Sequence, residues 1–415
     1  AKQPRYAAWT PRARDNDVRF DRLSVEHGLS QSAANCILQD RKGFMWFATE
    51  DGLNRYDGYS FTIFRHDPED PTSLSDSFVR CILQDPSGMI WIGTWHGGLD
   101  RLDPATGEFT HYRHNPDDPN SLSHDNVFCL YIDSEGTLWV GTAGGLDRFN
   151  AKSGRFVHYR HDPGDVSSLS DDSVVAIYQD SDDELWVGTY SGGLNHLDRQ
   201  TGQFTRHQNQ PGNPQSLSDD SVSAIYRDSA GVLWVGTSEG GLNRLDREQG
   251  TFVRYGQNPA DARSLSDNHV MAILEDRASV LWIGTSGGGL DRYDRENDRF
   301  IHYRNDAFDP QSLSNNNVRS LYEDRGGVLW VGTLGGGLNK ANPTNQKFAL
   351  YRQEPNNPNS LNDRSIWAIL EDSEGTLWVG TDKGGLNRFD RESGQWTHYL
   401  HDPDNAQSLS DNTVR

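Results

Sequence analysis

Two recurring positions in this chain collect the side chains best able to hold a ligand. At the first, successive copies carry Asn35, Arg80, Phe128, Val175, Ser223, Met271, Arg319 and Trp367. At the second, a short stretch, they carry Glu50-Asp51, Trp95-His96, Ala143, Tyr190-Ser191, Ser238-Glu239, Ser286-Gly287, Leu334-Gly335 and Asp382-Lys383. The sequence around both is nearly uniform, so the variety stands out. Large aromatics beside arginine and acidic groups suit a small polar ligand with flat faces, such as an oligosaccharide: the rings stack and the charges fix orientation. Arg80, Trp95, His96, Phe128, Tyr190, Glu239, Arg319, Trp367, Asp382 and Lys383 are therefore the candidate ligand-binding residues. Drift at solvent-exposed positions is the competing reading.

Covalent chemistry is not expected. The 14 histidines are scattered, and His111, His158, His302 and His398 recur at one place in an outer strand that reads as surface. His-x-Glu-x-x-His, Cys-x-x-Cys, P-loop and Gly-x-Ser-x-Gly patterns do not occur, so no catalytic residue and no cofactor is assigned. The links His66-Asp67-Pro68-Glu69-Asp70-Pro71 and Asn115-Pro116-Asp117-Asp118-Pro119 lack the alternating ligands and closing Glu of a calcium loop, and no metal site is assigned. Cys36, Cys81 and Cys129 fill one place in three successive copies, where later copies have Ala176, Ala224, Ala272, Ser320 and Ala368. A crowded site that wants a small residue explains all eight, and the thiols read as buried and free.

The element that must position these residues is a repeat. Trp46, Trp91, Trp139, Trp186, Trp234, Trp282, Trp330 and Trp378 recur every 45 to 48 residues. Each unit reads as four short strands. In the fifth copy these are Val222-Ser223-Ala224-Ile225-Tyr226, Leu233-Trp234-Val235-Gly236-Thr237, Leu242-Asn243-Arg244-Leu245 and Thr251-Phe252-Val253-Arg254-Tyr255. Asp-Ser-x-Gly and Gly-Gly stretches supply the turns. A period in this range with four β signals marks a propeller blade. The fold class is all-β: a single propeller of four-stranded antiparallel blades. In such a blade, the first-strand position and the turn after the second strand share one face near the axis.

The ends bear on closure. Residues 18–24 resemble the last strand of a unit, and Ser408-Leu409-Ser410-Asp411-Asn412-Thr413-Val414-Arg415 resembles the opening of a ninth. With eight cores the expectation is an eight-bladed ring, in which residues 396–415 and 20–33 compete for one place. A seven-bladed ring plus an extra blade, or part of a nine-bladed or longer array, are the alternatives. The domain reading is an N-terminal arm at 1–17, with Trp9 as its anchor, followed by the propeller at 18–415.

Bulk properties bound the partners. The formal net charge is −21, with 60 acidic against 39 basic side chains, which disfavours nucleic acid. No run of 18 apolar residues predicts a membrane span, and no apolar leader region is visible at Ala1-Lys2-Gln3-Pro4.

The units resemble the two-component regulator propeller repeat, through Val270-Met271-Ala272-Ile273-Leu274-Glu275-Asp276, Leu281-Trp282-Ile283-Gly284-Thr285 and Gly288-Gly289-Leu290-Asp291-Arg292-Tyr293. Phe20-Asp21-Arg22-Leu23-Ser24-Val25-Glu26-His27-Gly28-Leu29-Ser30 is similar to the start of such sensors. The resemblance spans about residues 18 to 415. It implies an extracytoplasmic sensor region, periplasmic or extracellular, of a bacterial histidine kinase or diguanylate cyclase receptor. Its downstream β domain, membrane helix and output domain are missing from this chain. Rings in that family usually have seven blades, and some members sense glycan fragments. The expected function is non-enzymatic ligand sensing at the central funnel. A protein-interaction scaffold is the alternative, and a propeller lyase or hydrolase a third.

Overall fold

In seven of the eight copies one aspartate organises the first hairpin; in the fourth, Asp180 pairs with Arg227 and Arg247, and Trp186 Nε1 is unbonded among the described residues. In the fifth copy, Asp228 accepts hydrogen bonds from the Val232 amide (2.9 Å) and the Trp234 indole Nε1 (2.8 Å). The same six-residue spacing joins Asp40 to Trp46, Asp133 to Trp139, Asp276 to Trp282 and Asp324 to Trp330. A buried indole N–H usually finds an acceptor, and where it does here this carboxylate both supplies it and caps the turn. The strand that follows, Leu233–Thr237, is buried along its whole length, as are its counterparts in the first seven copies.

The computed structural model describes residues 18–180, 184–342, 351–354, 357–372, 376–390 and 393–415; the arm expected at residues 1–17, with Trp9, lies outside them. The described strands form eight four-stranded antiparallel sheets. The first seven blades start at residues 34, 79, 127, 174, 222, 270 and 318. Together they make one compact unit, residues 18–346; residues 347–415 belong to a second.

The first unit is a closed ring of seven blades. Innermost strands lie side by side in order, and that of the seventh blade, Val318–Glu323, lies beside that of the first, Ala34–Gln39. The circle is sealed twice. Asp21–Leu23 pairs antiparallel with Leu338–Ala341 (Arg22 opposite Asn339, Leu23 opposite Leu338), so residues from the start of the chain form the outermost strand of the seventh blade. Ser320 Oγ donates to the Ala34 carbonyl (2.9 Å), and a Cβ on Gly332 would stand 2.6 Å from that same oxygen. Glycine at this place lets neighbouring blades approach: at Gly236 a Cβ would meet Val270 at 2.5 Å. Sharing a blade between the two ends of the ring segment covers the outer edge of Leu338–Ala341 and leaves only the short edge that every blade has.

Closure at seven differs from the eight-bladed ring expected first, and matches the alternative of a seven-bladed ring with an extra blade. The eighth sheet (Ile366–Glu371, Leu377–Thr381, Leu386–Asp390, Gln395–Tyr399) has its own small core of Leu361, Val379, Phe389 and Trp396. The expected competition between residues 396–415 and 20–33 does not arise. Residues 395–399 are the outer strand of the eighth sheet, and the Val414 amide donates to the Thr381 carbonyl (2.9 Å) there.

The recurring histidines are not surface groups in the ring. His111, His158 and His302 lie opposite Asp100, Asp147 and Asp291 in the register, with Nδ1 2.7, 2.6 and 2.6 Å from carboxylate oxygens that are fully buried. In the fourth, fifth and seventh blades the pair is instead asparagine with arginine: Asn195 with Arg206, Asn243 with Arg254, Asn339 with Arg22. Those arginines donate to serine carbonyls of the link between blades. Either way the inner partner fixes the incoming loop: Asp291 Oδ2 accepts from the Ser266 amide and Asn243 Oδ1 from the Ser218 amide.

Candidate functional site

The variable first-strand position is a β-bulge in every blade. Val79 pairs with Thr94 and Cys81 with Gly93, leaving Arg80 as the extra residue between them. Asn35, Phe128, Val175, Ser223, Met271 and Arg319 occupy the same extra place in the other six ring blades. A bulge takes one residue out of the ladder and re-aims its side chain. Here seven bulges, arrayed around one axis, turn seven side chains toward a common mouth.

That mouth is a cavity of about 260 Å³. All seven bulge residues line it, with Tyr190, Ser221, Val222, Ser238 and His269. Arg80 lies over two aromatic faces, 4.7 Å from the Trp95 ring and 5.4 Å from Phe128. Trp95 also stacks on Phe78 (5.5 Å) and leans against Phe128 (5.8 Å). Burial draws the Arg80 guanidinium below its ordinary pKa; the neighbouring Arg319 cation pushes the same way, and Glu50 opposes. Two polar atoms at the mouth are buried and unbonded among the described residues: Asn35 Oδ1 and Arg319 Nε. Asn35 spends its amide on the Val79 carbonyl (3.0 Å), and Ser223 donates to the Val270 carbonyl (2.5 Å).

Below the bulges the wall is packed and inert. Cys36, Cys81 and Cys129 are free thiols. A Cβ on Gly93 would stand 2.5 Å from Cys81 Sγ, which accounts for the small residue required there. Burial raises all three thiols, Cys129 to about 12, so none is a nucleophile near neutral pH.

The candidate residues fall into three groups. Arg80, Phe128, Tyr190 and Arg319 share the cavity wall, with Trp95 stacked against Arg80 at its edge. His96 and Glu239 stand outside the lining; both are exposed, with their amides held by Asp76 and Asp219. Trp367, Asp382 and Lys383 belong to the eighth sheet, where Trp367 Nε1 donates to Asp382 Oδ1 (3.0 Å) and Arg415 lies 4.7 Å over the Trp367 ring. The choice from sequence missed Asn35, Val175, Ser223 and Met271, which share the bulge position, and also Ser221 and His269. Those last two precede the first strand, where the copies vary again: Ala33, Phe78, Asn126, Ser173, Ser221, His269, Asn317. That variation was a usable signal.

Two larger grooves, about 610 and 510 Å³, involve the second to fourth blades. Their central cation is already neutralised: Arg199 binds Asp133 (2.7 Å) and Glu135 (3.0 Å). Among the described residues no group of three or more His, Cys, Asp or Glu converges as a metal site would require, and no helix is long and apolar enough to cross a membrane.

Comparison with known proteins places the repeat. The model of the two component regulator propeller matches residues 28–51, 73–96, 121–144, 168–191, 216–239, 264–287, 312–335 and 360–383. Each match ends on the turn after the second strand. The extracellular domain assigned to a hybrid two component system of B. thetaiotaomicron superposes with a TM-score of 0.78 at 29% identity, over 92% of this chain and 49% of that one. A virginiamycin B lyase of Staphylococcus aureus shares the propeller fold alone, with a TM-score of 0.58 and 16% identity over 78% of this chain and 99% of the lyase. A histidine kinase, P4, of Formosa agariphila is 41% identical over 69 residues, 17% of this chain and 5% of the kinase. This chain thus spans about half of the similar extracellular domain and a small part of the kinase. With eight matching units between residues 28 and 383, the chain belongs to the two component regulator propeller family.

Proposed function

We propose that the seven-bladed ring is the ligand-sensing part of a bacterial receptor's extracytoplasmic region. It takes a small polar ligand or glycan at the axial mouth and leaves it chemically unchanged. The observation that carries this reading is the set of seven bulges. A ring whose scaffold positions are nearly identical spends its variety on side chains that converge on one cavity. Aromatic faces, two arginines and an unbonded amide oxygen are the equipment of a polar binding site. Similarity to the extracellular domain of a hybrid two component system supports a periplasmic or extracellular location and a receptor context. The titratable groups lining the mouth are Arg80, Arg319, His269 and Tyr190. Of that set only His269 and Tyr190 could move a proton, and no carboxylate accompanies them in the cavity lining among the described residues.

Calorimetric titration of an oligosaccharide panel tests the reading. We expect saturable binding by at least one member, weakened about threefold to tenfold by Phe128→Ala, since stacking contributes ~0.5–1.5 kcal/mol beyond lost area. A panel without a binder, against a chain shown to be folded, would sink it. A protein-interaction role has its own support in the eighth sheet, where Ile366, Trp367, Ile369 and Leu370 are exposed on one strand. Capture of a protein partner that is lost with Ile369→Asp, yet unchanged by Phe128→Ala, would favour that role.

A further inference from the structure

We infer that the axial mouth recognises an anionic sugar, whose carboxylate or sulfate ester lies between Arg80 and Arg319. This deepens the sensing role proposed above and rests on it.

The argument starts from how the other arginines are used. The chain carries a net charge of −21, and its arginines are mostly spoken for. Arg19 pairs with Asp309, Arg65 with Asp51, Arg199 with Asp133, and Arg295 with Asp228. Arg206 and Arg254 bind carbonyls. Arg80 and Arg319 differ. Among the described residues, the contacts of Arg80 are aromatic faces and Arg319 Nε is buried and unbonded; Arg101 has both features, lying over Trp91, but is outside the cavity lining, so what sets the pair apart is that both face the mouth. Both line a cavity whose wall holds no carboxylate among those residues; Glu50 acts on Arg80 from outside the lining.

Two like charges facing one small cavity repel, and the repulsion is relieved when an anion enters. Guanidinium groups present planar forks that match carboxylate and sulfate oxygens two at a time, which a neutral hydroxyl cannot equal. Trp95 and Phe128 hold the Arg80 plane in place, so little side-chain freedom is lost on binding. The rest of the wall suits a sugar rather than a bare ion. Asn35 Oδ1 is free to accept from a hydroxyl, Ser238 lies on the same wall, and Phe128 and Tyr190 offer faces to ring C–H groups.

The test is calorimetric titration of the full chain with three probes of equal length: a uronic-acid oligosaccharide, a sulfated oligosaccharide and a neutral one. We expect one acidic probe to bind at least about tenfold more tightly than the neutral probe, with affinity falling as salt rises. Arg319→Gln should remove about tenfold or more of that preference, and Arg319→Lys should restore part of it. Arg319 carries the test because no aromatic stack depends on it, whereas Arg80→Gln also disturbs Trp95; thermal unfolding checks that each variant is folded. Equal binding of acidic and neutral probes, or an unchanged preference in Arg319→Gln, would overturn acid recognition while leaving a sugar-binding mouth. Binding of none of the three would end both readings.

Discussion

The fifth blade and the eighth sheet are built from nearly the same sequence, yet their innermost strands have different fates. Val222–Arg227 is flanked by blades on both sides, and Ile225 is 9% exposed. In Ile366–Glu371 the equivalent Ile369 is 67% exposed and Leu370 65%. Strand length, register and bulge are the same in both. The difference shows what a repeat can and cannot do alone. Hydrogen bonds and the Asp–Trp hairpin form within one unit, whereas burial of the blade faces comes from neighbours. Trp378 and Asp372 keep their 2.8 Å bond in the eighth sheet, so the local motif forms there too.

Breaking the closure should have the largest effect on this contrast. Phe20 and Val18 pack into the core between the sixth and seventh blades, and Phe20 is fully buried. Phe20→Ala should cost ~3–5 kcal/mol in chemical denaturation of the ring. A change below about 1 kcal/mol would mean that the shared blade does not hold the circle together.

Matched core truncations sharpen the contrast next. Ile273→Ala in the sixth blade should destabilise by ~2–5 kcal/mol, and Ile369→Ala, at the equivalent exposed place, should stay within about 0.5 kcal/mol. Equal effects would show that the eighth sheet is buried in solution. Gly236→Ala forces a Cβ onto Val270 and should cost ~1–3 kcal/mol, since overpacked cores shift rather than absorb atoms.

The smallest effect is a pH dependence confined to the Asp–His blades. His302 Nδ1 faces Asp291 and Nε2 faces the Ala262 carbonyl (2.9 Å); both neighbours accept, an arrangement that the doubly protonated imidazolium satisfies at both nitrogens. The hydrogen bond to Asp291 chiefly raises its pKa, against the opposing effect of burial, and His111 and His158 behave alike. A raised folded-state pKa gives stability that is complete below the unfolded value, ~6.5, and is lost as pH rises through the folded one. Each pair should contribute less than about 1 kcal/mol after solvent screening. The eighth sheet supplies the control, because His398 faces the neutral Asn387 (2.8 Å). Asp291→Asn should flatten the slope of stability between about pH 6 and 8, and Asn387→Asp should add to it. An unchanged slope in Asp291→Asn would remove the imidazolium assignment.

Much of the fold was legible because its determinants are local. Trp234, Asp228, Gly236 and Gly241 each answer a requirement met within one blade or at its seam, and the copies repeat the residues, with Ala48 in place of that first glycine in the first copy. The number of blades in the ring was not legible, because no local residue encodes it. By spacing in the sequence, residues 347–351 correspond to the outer strand of the other copies, yet Asp21–Leu23 holds the edge of Leu338–Ala341. The choice between two similar segments is made by pairing across more than 300 residues. The mouth was half legible. Variety flagged Arg80, Phe128 and Arg319, but the bulge that turns them inward is a register slip between Val79 and Cys81 that no residue type announces. His111 was misread as surface because its partner, Asp100, is eleven residues away and opposite only once the strands pair.

The pairing of Asp21–Leu23 with Leu338–Ala341 also sets a timetable. A chain made from its N-terminus exposes the first of these segments some three hundred residues before the second exists. Blades one to six can assemble as they emerge, each on the last, while the lock waits for its key. The final step is a long-range encounter, slow relative to the hairpins because its contact order is high. Proteases and chaperones therefore meet an open arc rather than a circle until the seventh copy is complete. Once shut, the circle opens only by stripping Asp21–Leu23 from Leu338–Ala341 or by parting two packed blades.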